Sequence, residues 1–122
     1  MTTTAEDRIA TWEAKQQARL ERARKEIERA RQEQINARLW ADRCWNRVQS
    51  LDAYIERLQH LCEISNEDAI IQAKLVLARN DARRAWAQAV RADFRVKRAD
   101  IRLRRAILTR DEANFNLGLL ER

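Results

Sequence analysis

Residues 20–62 read LERARKEIERARQEQINARLWADRCWNRVQSLDAYIERLQHLC. Within them Leu20, Ala23, Ile27, Ala30, Gln34, Ala37, Ala41, Cys44, Val48, Leu51, Ile55, Leu58 and Cys62 recur at alternating steps of three and four. That is the a/d seam of a supercoiled α-helix. A second seam follows without a slip: Ile71, Leu75, Ala78, Ala82, Ala85, Ala89, Ala92, Val96, Ala99, Leu103, Ala106, Arg110, Ala113, Leu117 and Leu120. Only Glu63-Ile64-Ser65-Asn66 separates the two. A connection this short forces neighbouring helices antiparallel. The sequence therefore predicts an all-α fold, a long antiparallel two-helix coiled-coil hairpin with an alanine-rich seam. It forms a single domain over 1–122, with helix 1 at about 5–62, the turn at about 63–66 and helix 2 at about 67–118.

The register can be checked by side-chain size. Pairing residues whose numbers add to about 133 sets Leu51 against Ala82, Val48 against Ala85, Ala37 against Val96, Ala30 against Leu103 and Ile27 against Ala106. Large opposite small keeps the volume of each layer even, so the helices can approach closely. In the same register the two polar seam members, Gln34 and Arg110, face Ala99 and Ala23. A polar seam position commonly fixes register, and Arg110 can run its head out to water past a small alanine.

Composition supports long helices. Proline is absent, Gly118 is the only glycine, and 36% of the 122 residues are charged. Thr4, followed by Glu6 and Asp7, offers a cap and a favourable charge for the first helix. Ser65-x-x-Asp68, with Glu67 beside it, reads as a capping-box restart for the second. The polar start Met1–Arg8 lacks the pattern of a secretory leader, and no stretch approaches the length of a membrane span, so a cytoplasmic protein is expected. Cys44 and Cys62 lie on one seam, where cysteine acts as a small hydrophobe, and are expected to stay as buried thiols.

A thin helical pair has no deep interior, and the ingredients of catalysis are missing. His60 is the only histidine, one glycine makes a Gly-rich phosphate loop impossible, and the carboxylates interleave with basic residues at helical pair spacing, as in Glu21/Lys25 and Glu26/Arg29. No enzyme, metal site or cofactor is expected.

What the seam does not explain lies on the outer face of helix 2. Phe94, Ile101, Leu108 and Phe115 recur every seven residues at position f, opposite a and d. Arg91, Arg98 and Arg105 flank them at c, and Lys97 and Arg104 at b. An ordinary hairpin fills f with charged or polar residues, so an apolar line edged by arginine calls for a partner. The partner is a different protein with an acidic surface, a second copy making a four-helix bundle, or an anionic membrane surface. Between Arg79 and Arg110 eleven basic residues stand against three acids, a local charge of +8 within a net charge of +6. Such a segment attracts acidic proteins, nucleic acid or lipid head groups, although no nucleic-acid-binding motif is present. Trp40, Trp45 and Trp86, with Leu39 and Tyr54, are expected to thicken the middle of the seam. Trp12, near the free end, is a further docking residue.

A small basic helical hairpin, with the arm Ala18-Arg19-Leu20-Glu21-Arg22-Ala23-Arg24-Lys25-Glu26 and the segment Leu51-Asp52-Ala53-Tyr54-Ile55 approaching the turn, resembles the FliJ/YscO family. These are central stalk proteins of flagellar and virulence type III secretion systems. The resemblance implies a non-enzymatic stalk in the pore of a hexameric secretion ATPase, with its turn end reaching towards the export gate. It also implies contacts with substrate-delivering chaperones, and a cytoplasmic location peripheral to the inner membrane.

Overall fold

The computed structural model describes residues 4–65 and 68–121. It consists of two helices, α1 (Ala5–Ile64) and α2 (Ala69–Leu120), which pack against each other as a helical hairpin with no strand among the described residues. Thr4 caps α1 as expected: its hydroxyl accepts from the Asp7 amide at 3.1 Å, and the Asp7 carboxylate accepts from the Thr4 amide at 3.3 Å. The pair forms a reciprocal box that satisfies two otherwise orphaned donors.

The restart differs from the sequence reading. The cap of α2 is Asp68, not Ser65. One Asp68 carboxylate oxygen accepts from the Ile70 amide at 3.0 Å and the Ile71 amide at 3.3 Å. Ser65 remains with α1, its amide donating to the Leu61 carbonyl at 2.9 Å. The first helix thus ends at Ile64, and the second begins at Ala69 and continues to Leu120. Glu67, read as part of the restart, lies outside the described residues, as does Asn66 of the turn.

The helices form two compact units. The first pairs α1 up to Ile35 with α2 from Arg98, and the second spans Asn36–Lys97. In the second unit Ala41, Cys44, Val48, Ala85, Ala89 and Ala92 form a core cluster, with Trp45, Leu51 and Val96 packed on it. Five of these nine side chains are no larger than cysteine, so the unit holds together by close backbone approach more than by bulk. The Trp45 indole donates to both carboxylate oxygens of Asp93, at 3.1 and 3.0 Å, tying the helices along one edge. The other aromatics do not join it. Trp40, Trp86, Leu39 and Tyr54 are exposed. They sit on outer and flanking heptad positions, and alanine-lined layers are too thin for them to fold back across.

In the first unit Leu20, Ala23, Ile27 and Ala30 are buried from α1, and Ala99, Ala106 and Ala113 from α2. Gln16, one step before Leu20 on the same seam, is buried too, and its oxygen accepts from Asn116 at 3.1 Å and Arg19 at 3.3 Å. Gln34 is half-buried and donates to the Asp100 carboxylate at 2.5 Å, so its polar head is satisfied across the helices instead of lying idle against Ala99. Arg110 is half-exposed and pairs with its neighbour Asp111 at 3.1 Å. Cys44 is buried and Cys62 half-buried, both as free thiols.

Candidate functional site

The first unit carries the densest array of charge. Arg102 projects from α2 at heptad position g and reaches Glu26 and Glu33, one heptad apart on α1. The same guanidinium thus bridges two carboxylates about two turns apart on the facing helix, and its hydrogen bond holds the Glu26 carboxyl below the ordinary carboxylate value. Arg102 is itself raised by the same contacts. At the far end of the unit Arg19 pairs with Glu112 at 3.3 Å. These cross-helix pairs consume the charge that faces inward.

The outer face is different. Ile101, Leu108 and Phe115 are 47%, 67% and 62% exposed, as their f positions require. Arg98, Arg104 and Arg105 beside them are exposed and have no carboxylate partner among the described residues. A shallow groove runs beside Ile101, lined by Glu26, Arg98, Arg102, Arg105 and Thr109. It brings Ile101 and Ala106 together with the guanidinium groups of Arg98 and Arg105, a combination that suits a partner bringing both apolar side chains and carboxylates. The charge along the face is graded. Ile101 has cations on every side, whereas Phe115 lies between the acids Asp111 and Glu112, already paired, and the small or apolar Gly118 and Leu119.

Other residues singled out from the sequence fall elsewhere. Phe94, 56% exposed, belongs to the second unit, where the Lys97 ammonium stands 5.5 Å from its ring centroid. Arg91 is exposed and folds its Nε onto the Ala87 carbonyl of its own helix. Trp12 is half-buried on the first unit, less available than its neighbours Ile9 and Thr11. Sequence reasoning overlooked an apolar surface near the connection: Leu61, Ile64, Ile70, Val76 and Leu77 are all exposed. The signal was present, since the opening turns of α2 are apolar on nearly all sides.

Among the described residues no group of three or more His, Cys, Asp or Glu side chains is placed to hold a metal ion. None of the described helices is long and apolar enough to cross a membrane. No family model, curated protein or solved structure matches the chain.

Proposed function

We propose that this protein is a non-enzymatic helical adaptor that docks an acidic protein through the outer face of α2. One observation carries the reading. Ile101, Leu108 and Phe115 stand exposed at seven-residue spacing, while the adjoining Arg98, Arg104 and Arg105 have no carboxylate to satisfy them among the described residues. Burying the apolar line favours association by about 25 cal/mol per Å². The arginines select against basic or neutral surfaces and accelerate encounter with acidic ones. Trp12 of the same unit supplies a secondary contact, and Phe94, Arg91 and Lys97 of the second unit are a separate candidate contact of their own.

The resemblance to FliJ/YscO stalk proteins supports a particular setting. In that setting the partner is a hexameric type III secretion ATPase, the export gate and substrate chaperones bind the same stalk, and the protein works in the cytoplasm beside the inner membrane. It couples the ATPase to the gate by presenting an uneven charged surface to successive subunits, and performs no chemistry. The experiment is a pull-down from the source cells with the wild-type chain and with Ile101→Glu/Leu108→Glu. Recovery of a secretion ATPase with the wild type and its loss with the variant support the proposal. Recovery with both places the contact elsewhere, and recovery of a partner unrelated to secretion removes the setting while leaving the adaptor.

A second reading rests on the same heptad spacing, which also suits a copy of this chain in a four-helix bundle. A dimer in light scattering that disappears with Ile101→Glu is its signature.

A further inference from the structure

We infer that the segment seated on the outer face of the first unit is an amphipathic helix of another protein, with a heptad seam and acidic flanks opposite Arg98–Arg105. This rests on the docking reading and adds the shape and charge of what docks.

The shape follows from spacing and width. Ile101, Leu108 and Phe115 lie about 10.5 Å apart at ~1.5 Å rise per residue. An extended strand presents same-face side chains every ~7 Å and falls out of step, whereas a second helix repeats its seam at the same interval. The apolar line is also one residue wide. Arg104 and Arg105 adjoin it directly at positions b and c, and both are exposed. A line this narrow matches the a/d seam of a coiled-coil partner. A bilayer calls for a broad apolar face sunk into the acyl boundary, with the cations standing back from it. Nucleic acid would satisfy the arginines and leave three apolar side chains in water.

Charge decides between a copy of this chain and another protein. Two basic faces oppose each other. The acids that border this face in a second copy are already engaged: Glu26 with Arg102, Asp100 with Gln34, Asp111 with Arg110 and Glu112 with Arg19. The gradient along the face fixes the partner's polarity. Its carboxylates gather opposite Ile101, and its seam becomes nearly uncharged opposite Phe115 and the exposed Leu119. Gly118 lies beside that end, with nothing within 4 Å of where a Cβ would stand, so the incoming helix can approach the backbone there.

The test uses the full chain and fluorescent three-heptad peptides in anisotropy titrations. One peptide has leucine at a and d and glutamate at e and g, a second has the same composition scrambled, and a third carries lysine at e and g. The heptad glutamate peptide is expected to bind at least tenfold tighter than the scrambled one, with no binding by the lysine form. Ile101→Glu/Leu108→Glu should weaken it at least tenfold with helix content unchanged by circular dichroism. Should that variant lose helix, Leu108→Gln serves in its place and is expected to weaken binding several-fold. Equal binding of scrambled and heptad peptides would reduce the contact to polyanion attraction, overturning the helix while leaving an acidic partner. Heptad-peptide binding untouched by the substitutions would remove both the helix and the docking face. Vesicles of phosphatidylserine and phosphatidylcholine that displace the peptide from wild-type chain, or a dimer that excludes it, would also overturn the inference.

Discussion

At the scale of single residues, the most telling contact is the Trp45 indole on Asp93. A seam built of alanine and cysteine has little bulk to lose, so a half-buried hydrogen bond to a charged group weighs more here than in a thick core. Such bonds contribute about 1.5–3 kcal/mol, and partial exposure moves this one towards the lower end. Trp45→Phe keeps the ring on the cluster and leaves the Asp93 carboxylate without its donor; it is expected to lower stability by about 1–2 kcal/mol in urea unfolding. In an Asp93→Ala background the same change should cost clearly less, and an equal cost in both backgrounds would assign the effect to packing. Arg102 gives a residue-scale prediction in pH. Its hydrogen bond lowers the Glu26 pKa in the folded state. A depressed carboxylate contributes stability that is present above its unfolded value and lost as pH falls through the folded one. Acid titration of the wild type should therefore show a loss below about pH 4.5 that shrinks in Arg102→Gln. Superimposable acid limbs for the two proteins would contradict it.

At the scale of elements, the helix ends separate what spacing can tell from what it cannot. Ser65 and Asp68 are both good caps three residues apart, and a capping box assigns the role to the first. The choice of Asp68 depends on where the chain leaves α1, and the Ser65 amide is still bonded to Leu61. Asp68→Ala should cost about 0.5–2 kcal/mol, while Ser65→Ala should stay within about 0.5 kcal/mol. The reverse order in thermal melts would restore the sequence assignment. The seams themselves were legible because nothing interrupts them: no proline, one terminal glycine, and small residues wherever the helices approach. The outer stripe was legible for the same reason, since position f follows from a and d. Gln16 was missed because the apolar pattern begins only at Leu20, and a lone glutamine looks like surface until Asn116 is brought opposite it. Trp40 and Trp86 were misplaced because exposure at heptad flanks depends on the neighbours' size, which a one-dimensional register does not carry.

At the scale of the whole molecule, a chain of net charge +6 with an apolar line among its arginines is governed by two forces of opposite salt dependence. Attraction between Arg98, Arg104 and Arg105 and an acidic partner is screened as ions are added, the Debye length falling from ~10 Å at 0.1 M to ~3 Å at 1 M. Repulsion between two copies of the same basic face is screened by the same ions, while the apolar contribution at Ile101, Leu108 and Phe115 persists. Raising salt should therefore weaken binding of the acidic partner and strengthen any self-association. Sedimentation of the chain alone is expected to give a monomer at 0.05 M salt, with dimer increasing towards 1 M; across the same range the affinity of the heptad glutamate peptide should fall at least tenfold. Substituting Arg98, Arg104 and Arg105 by Gln should flatten both trends together, because one set of guanidinium groups causes both. A dimer that is already complete at low salt, and indifferent to those three substitutions, would mean that the face is closed by a second copy and that its arginines are bystanders.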